Sequence, residues 1–172
     1  MNGSSEVSVE KFDKGWFFDG AGEEKALIFY PGAKVATEAY APLMYQLTES
    51  GIDCFLVDMP FHMAFFGMNR AEEIMQEYNY EAWYLGGHSL GGAMAANFVT
   101  DYVEDHTDGI RGLLLLAAYP TKDLSTSDMS VVTVYGSEDG VLNMDKIVAG
   151  RELMPQDYKE VCIEGGGGVC WR

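Results

Sequence analysis

The sequence predicts a three-layer α/β fold, with one doubly wound, mostly parallel sheet of about six to seven strands covered by helices on both faces. Short apolar runs alternate with segments of helical periodicity along the chain. The run 112–118, GLLLLAA, is apolar throughout, as expected of a parallel strand that is buried on both faces. No linker, repeat or low-complexity segment divides the 172 residues, so we expect a single domain over 1–172.

Six apolar runs are predicted to be strands, because each is short and is followed by turn-forming or polar residues. They cover 25–30, 53–59, 82–85, 112–118, 131–135 and 158–163. The segment 14–18 is a candidate for an additional strand ahead of them. Residues 1–13 are expected to form a poorly ordered N-terminal tail, and the glycine-rich 165–172 an atypical C-terminal tail.

Four helices are predicted between these strands. Ala41, Met44 and Leu47 repeat at helical spacing within 37–50, and Gly51 supplies a stop signal. Helices are also predicted over 70–78, from Leu90 through a stretch rich in small residues, and over 144–153. Cys54 and Cys162 each lie inside an apolar run, so both are expected to be buried thiols.

Composition excludes several classes of function. The net charge of −16 disfavours nucleic-acid binding, because an acidic surface repels phosphate backbones. No run of 18 apolar residues and no secretory signal pattern occurs, which predicts a soluble, cytoplasmic protein without a membrane partner. There is no C-x-x-C motif and no His/Cys cluster, so no metal or organic cofactor is expected. The sequence carries no signal for an oligomeric state.

The motif that points to chemistry is Gly87-His88-Ser89-Leu90-Gly91, which fits G-x-S-x-G. It follows the apolar run 82–85 and precedes a helix, the strand–turn–helix setting that this motif requires. Such a sharp turn exposes the serine hydroxyl beside a helix N-terminus, where backbone N–H groups stabilise an oxyanion. The alternative is a glycine-rich turn with an incidental serine.

The stretch 86–92, GGHSLGG, resembles the nucleophile elbow of the α/β-hydrolase superfamily, and the resemblance extends from about Lys25 to Gly166. The chain is most similar to small, cap-less bacterial carboxylesterases and dienelactone-hydrolase-like proteins. This resemblance implies a Ser–Asp–His triad in that chain order, with Ser89 as nucleophile. It places the acid in the turn after 131–135, at Asp139 or alternatively Glu138.

The resemblance also implies two backbone N–H donors in an oxyanion hole. Leu90, directly after the nucleophile, supplies one of them. The other is expected in the loop after the first predicted strand, at Ala33 or alternatively Lys34. Since only 119–130 separate two of the predicted strands, no cap domain is expected and the site should be open.

The family pattern breaks at the histidine, which the resemblance places a few residues after Ile163-Glu164-Gly165-Gly166. None follows there, so the end is expected to reflect a truncation, a frameshifted tail or an alteration. The chain has three histidines, His62, His88 and His106. His88 is interpreted as structural and His106 as solvated, whereas His62 follows a predicted strand and is a candidate substitute base or a pocket-wall residue.

Two functional hypotheses follow. The first is a serine hydrolase that acts on small-molecule carboxylic esters through an acyl-enzyme on Ser89, impaired because the triad histidine is missing. Thioesters and amides use the same machinery and stay open as substrates. The alternative is a non-catalytic binding protein with the hydrolase fold. A nucleotide-binding protein is disfavoured, because G-x-G-x-x-G and G-x-x-x-x-G-K-[ST] are both absent.

Overall fold

The computed structural model describes residues 6–59, 69–106 and 109–167, which include one eight-stranded sheet. The strands are β1 (Ser8–Phe12), β2 (Gly15–Asp19), β3 (Lys25–Tyr30), β4 (Asp53–Val57), β5 (Ala82–His88), β6 (Ile110–Leu116), β7 (Ser130–Gly136) and β8 (Tyr158–Ile163). Their order across the sheet is β1-β2-β4-β3-β5-β6-β7-β8. The pairs β1–β2 and β2–β4 are antiparallel and the other neighbours are parallel, which confirms the mostly parallel sheet.

The helices fall where the sequence predicts them. They are α1 (Ala41–Glu49), α2 (Arg70–Glu77), α3 (Leu90–Asp105) and α4 (Met144–Gly150). The first begins as a 3₁₀ turn over Thr37–Tyr40, and the last continues as a 3₁₀ turn over Arg151–Leu153. Pro42 lies in the first turn of α1, where its missing N–H costs no helical hydrogen bond.

Two apolar cores lie on opposite faces of the sheet, because successive side chains of a strand point to opposite sides. Ile28 of β3 and Leu85 of β5 belong to the core that includes side chains of α2 and α3. Leu27 and Phe29 belong to the other core, with Met44 of α1. The run 25–30 is therefore apolar at consecutive positions because both of its faces are covered, which completes the three predicted layers.

Two predictions are wrong at the N-terminal edge of the sheet. The sequence predicts a poorly ordered tail over 1–13 and about six to seven strands, whereas Ser8–Phe12 forms β1 and raises the count to eight. β1 pairs with β2 as a hairpin, with Phe12 opposite Gly15. Because β1 is an edge strand with mostly exposed side chains, it lacks the apolar run by which the other strands are found.

The opposite edge, β8, corrects the expectation for Cys162. Its thiol is exposed, whereas Cys54 on the interior strand β4 is buried, and burial raises the pKa of the Cys54 thiol to about 12. The side chains of Val161 and Ile163 are also exposed, with 43% and 50% of their surface accessible. An apolar run at a sheet edge therefore need not be buried, since β8 pairs with β7 alone and its consecutive residues 161–163 are exposed on both faces.

The parallel strands bring their carboxyl ends to one edge of the sheet, where ligands bind in open α/β sheets. The loops after β3, β5, β6 and β7 all lie at this edge, because these strands are parallel neighbours. The loop between β6 and β7, residues 117–129, contains no helix or strand and so forms no cap there. No helix in the described ranges is long and apolar enough to cross a bilayer.

Candidate active site

Ser89 forms a one-residue turn between β5 and α3. β5 ends at His88 and α3 begins at Leu90, so no loop separates the strand from the helix. The backbone of Ser89 has φ 53° and ψ −121°, a conformation that side-chain-bearing residues rarely adopt. Its N–H donates to the carbonyl of Leu116 at 2.9 Å, and its carbonyl accepts from Ala93 N–H at 3.1 Å. The turn is thus held from both sides while the residue itself is exposed.

The first turn of α3 presents backbone donors next to Ser89. The first N–H groups of an α-helix have no partner within the helix, and the helix dipole adds partial positive charge there. Leu90 is the first residue of α3 and shares a cleft with Ser89. Its N–H is therefore in the region where charge on a substrate oxygen would be stabilised.

The cleft at Ser89 has a volume of about 490 Å³. Its walls come from the first turns of α3 and from the loops after β6 and β7. They are mainly apolar, and besides Ser89 and Asp139 they include a few polar groups: Leu90, Ala93, Met94, Ala118, Tyr119, Val141 and Leu142, with Thr121 and Asn143. A cleft of this size and composition suits a small organic molecule that carries an apolar group.

Asp139 lines the same cleft as Ser89, and Glu138 is not among the lining residues. The Asp139 side chain is held by its own loop, because its Oδ1 accepts hydrogen bonds from Val141 N–H at 2.9 Å and Leu142 N–H at 3.0 Å. Glu138 is exposed. The structure therefore brings together Ser89 and the first of the two predicted acids.

The loop after β3 contains the predicted second donor. Val35 N–H donates to the Gly32 carbonyl at 3.3 Å, which closes a turn with Ala33 and Lys34 at its centre. Lys34 has φ 61°, the positive value typical of the third residue of a type II turn. Such a turn uses neither Ala33 N–H nor Lys34 N–H in its closing bond. Neither residue is among those that line the Ser89 cleft.

The described histidines occupy different environments. His88 is 8% exposed, and its Nδ1 lies 2.8 Å from the Tyr40 hydroxyl. Burial lowers the pKa of His88, and the Asp139 carboxylate offsets part of that effect. His106 is exposed just after α3, and a 16-residue helix, about 24 Å long, separates it from Ser89. The candidate base His62 lies outside the described residues.

A smaller cavity of about 50 Å³ adjoins the cleft at the ends of β6, β7 and β8. His88, Ala117 and Asp139 line both spaces, so the two share a wall. Ile163 and Gly166 close the small cavity on the β8 side. Within the described ranges, no group of three or more His, Cys, Asp or Glu residues is arranged to hold a metal ion.

Two features of this region are not predicted from the sequence. Tyr119 and Met94 line the cleft, and neither is among the predicted site residues. Tyr119 closely follows β6, so the rule that the carboxyl ends of parallel strands face the site points to it. Tyr40, which contacts His88 from a distant part of the chain, gave no local signal.

The chain matches one known protein family and is similar in fold to several solved structures. A sequence model of the alpha/beta hydrolase family matches residues 26–169. A search of the curated protein sequences gave no match. Among solved structures, the chain is similar to a monoacylglycerol lipase of Paleococcus ferrophilus, with a TM-score of 0.72 and 14% identity over 97% of this chain and 92% of that one.

Two further solved structures are similar at still lower identity. One comes from a study of carboxylesterases of Nitrososphaera gargenis, with a TM-score of 0.68 and 9% identity over 95% of this chain and 92% of that one. The other is a carboxylesterase of Bacillus subtilis, with a TM-score of 0.65 and 9% identity over 95% and 85%. At such identities the likeness shows the shared fold.

Proposed function

Because the chain belongs to the alpha/beta hydrolase family, we propose that it is a serine hydrolase that acts on small carboxylic esters through Ser89. The observation that carries the proposal is the strained backbone of Ser89 at a strand–helix junction that opens into a cleft. Strain of this kind persists only where the surrounding fold imposes it, and it concentrates at functional sites. Esterases and a lipase among the structural neighbours support the same class of reaction.

In the proposed reaction, Ser89 Oγ attacks the ester carbonyl carbon and gives up its proton to a base. The carbonyl oxygen becomes an oxyanion, for which Leu90 N–H and Ala33 N–H are the proposed donors. The C–O bond to the alcohol then breaks, and the alcohol leaves with the proton. Water attacks the acyl-enzyme in the same way, which releases the acid and restores the Ser89 hydroxyl.

The proposed role of Asp139 is electrostatic. Its carboxylate lines the cleft that holds Ser89, so a cationic imidazolium formed between them would be stabilised by the opposite charge. We do not assign this base to either described histidine, because Tyr40 holds His88 Nδ1 and His106 lies beyond α3. We therefore propose weak turnover for this chain, since losing a triad member leaves roughly 10³–10⁴-fold catalysis over water.

The same placement of the histidines supports a second candidate function. A protein with the cleft and the elbow but no base would bind an ester-like ligand without hydrolysing it. The cleft walls, with apolar residues and a few polar groups, suit such binding equally well. The two candidates differ in one property: whether Ser89 reacts covalently once a base is supplied.

Fluorophosphonate labelling with added imidazole tests this difference. Ser89 Oγ would displace fluoride from phosphorus, while imidazole takes the proton. We expect labelling that rises with imidazole concentration and is abolished in Ser89→Ala, together with imidazole-dependent hydrolysis of p-nitrophenyl acetate above the rate measured with Ser89→Ala. N-methylimidazole, which lacks the N–H that would face Asp139, is the matched control and should be less effective. Absence of labelling at any imidazole concentration would favour the binding protein.

A further inference from the structure

We propose that Tyr40 is a positioning residue that acts through Gly32 and His88 to fix the loop carrying Ala33, the proposed oxyanion donor. The inference rests on the proposed function for its catalytic consequence and on geometry for the contact itself. Tyr40 lies at the end of the 3₁₀ turn before α1, and neither Tyr40 nor this turn belongs to the predicted elbow.

The Tyr40 hydroxyl joins two separate segments. It accepts a hydrogen bond from Gly32 N–H at 3.0 Å, in the loop after β3. It also lies 2.8 Å from His88 Nδ1, at the end of β5. Tyr40 has no exposed surface, so both contacts are shielded from water, which makes them costly to break without replacement.

The direction of the second hydrogen bond follows from the state of His88. Burial lowers the pKa of His88, which favours the neutral ring with one N–H donor and one acceptor nitrogen. The Tyr40 oxygen already accepts from Gly32 N–H, so donation of its own proton to Nδ1 satisfies both groups. We therefore assign Nδ1 as the acceptor, with the ring proton on Nε2.

The loop after β3 packs directly against Tyr40 and His88. A Cβ atom on Gly32 would lie 2.7 Å from His88 Nδ1 and 3.1 Å from the Tyr40 hydroxyl, so a side chain there would displace them. Ala33 follows Gly32, and Ser89 follows His88. The Tyr40 hydroxyl therefore links Gly32, which precedes the proposed donor, to His88, which precedes the nucleophile. Leu90, the other proposed donor, directly follows Ser89.

This arrangement sets the separation of the two proposed donors. β3 and β5 are neighbours, with Tyr30 opposite Gly87, so both loops leave the same edge of the sheet. Beyond that pairing, the loop after β3 is joined to the end of β5 through the Tyr40 hydroxyl. Removing the hydroxyl would leave Gly32 N–H without its acceptor and allow Ala33 to move relative to Leu90.

Tyr40→Phe tests the proposal, since it removes the hydroxyl and keeps a ring against Phe29, whose centroid is 5.2 Å from that of Tyr40. Tyr45→Phe is the matched control, because Tyr45 lies on α1 with 41% of its surface exposed. Each variant is labelled with fluorophosphonate in the presence of imidazole. We expect Tyr40→Phe to lower the limiting rate about tenfold, since complete removal of one oxyanion donor costs roughly 10²–10³-fold. The half-saturating probe concentration should stay unchanged.

Two NMR measurements test the contact independently of any reaction. In the wild-type protein, long-range ¹H–¹⁵N correlations should show His88 with its proton on Nε2, and this pattern should change in Tyr40→Phe. Exchange of the Gly32 amide proton should quicken on the order of fivefold in the variant, as expected for loss of one buried hydrogen bond. A proton on Nδ1 in the wild type, or unchanged exchange of the Gly32 amide in the variant, would show that the assigned hydrogen bonds of the Tyr40 hydroxyl are wrong.

The outcomes separate this inference from the proposed function. If the wild type does not label, the proposed function fails and so does the catalytic role of Tyr40, while the NMR data still decide the contact. If the wild type labels and Tyr40→Phe labels at the same limiting rate, the positioning role is wrong and the serine hydrolase stands. Equal losses in Tyr40→Phe and Tyr45→Phe would also count against it.

Discussion

Gly91, in the first turn of α3, lies against the backbone of Pro31 in the loop after β3. A Cβ atom on Gly91 would come within 2.3 Å of the Pro31 carbonyl oxygen and equally close to that of Tyr30. The start of the helix and the end of β3 are therefore in contact with no space for a side chain. This packing holds the Ser89 turn beside the loop that contains Ala33.

Gly91→Ala should therefore destabilise the protein. Replacing glycine by alanine inside a helix ordinarily stabilises it by about 1 kcal/mol, but here the overlap with backbone oxygens should reverse the sign and cost roughly 1–3 kcal/mol. Gly140→Ala is the control, since a Cβ there meets nothing within 4 Å, and its effect should stay within about 0.5 kcal/mol. Urea unfolding measures both, and a Gly91→Ala protein as stable as the wild type would contradict the contact.

Ser89→Gly should raise stability while abolishing labelling. The φ of 53° and ψ of −121° at Ser89 suit glycine, so the change relieves strain of about 1–3 kcal/mol. Glycine costs about 0.5–1 kcal/mol through the greater freedom of the unfolded chain, which leaves an expected gain of up to about 2.5 kcal/mol. Ser89→Ala keeps the strain and removes the hydroxyl, so it should show no such gain by urea unfolding. Equal stabilities of the two variants would argue against strain at Ser89.

Asp139→Asn should slow imidazole-assisted labelling of Ser89 by about tenfold or more, through loss of a charge facing the imidazolium. The asparagine carbonyl can still accept from Val141 N–H and Leu142 N–H, so the loop should keep its shape. Glu138→Gln removes a neighbouring charge outside the cleft wall and should leave the labelling rate within about twofold. If Glu138→Gln has the larger effect, the proposed acid is the other residue of the pair.

Glu160 on β8 should make stability depend on pH in the acidic range. Its carboxylate accepts hydrogen bonds from Arg151 Nε at 2.8 Å and Arg151 Nη2 at 2.6 Å, and also from the Tyr135 and Tyr158 hydroxyls. These partners lower the pKa of Glu160 to about 2 from an ordinary value of 4.5. Because the folded-state pKa lies below the unfolded one, the contribution is complete above pH 4.5 and is lost as pH falls toward 2.

Glu160→Gln checks this pH dependence. We expect the free energy of unfolding of the variant to be lower by about 1 kcal/mol near neutral pH. The value is modest because solvent reaches the Arg151 side of the pair. The difference in unfolding free energy between the variant and the wild type should shrink between pH 5 and pH 2. Lys122→Gln, which breaks a surface ion pair with Asp101, is a comparison that should change stability less. A difference that is constant with pH would exclude the assigned cause.

Two strands coincide with the runs that predict them, although one is buried and the other largely exposed. The predicted run 25–30 coincides with β3 and the run 158–163 with β8, because aromatic, β-branched and other apolar residues predominate in both. β5 is predicted over 82–85 but extends to His88, since Gly86 and Gly87 pair with β3 and β6. Glycine has little strand propensity of its own, so tertiary pairing decides where β5 ends.

The candidate site is likewise only partly predictable from the sequence. The Ser89 turn is predictable because its strain demands glycines at fixed spacing, which a sequence displays directly. Asp139 and Glu138 lie in the same turn, and their placement relative to the cleft depends on how that turn closes in three dimensions. The Tyr40–His88 contact joins residues 48 positions apart and has no sequence pattern. Ala33 as a donor stays a prediction, since a backbone N–H carries no residue signature.

The pairing of Tyr30 with Gly87 joins positions more than 50 residues apart in the chain. Closing a loop of that length costs entropy before any contact compensates it, so parallel pairings of this kind form slowly in folding. The Ser89 turn cannot hold its strained backbone until β3, β5 and β6 are assembled around it. A newly synthesised or partly folded chain should therefore contain an ordinary, unreactive serine at position 89, and probe labelling during refolding should appear only with the last kinetic phase.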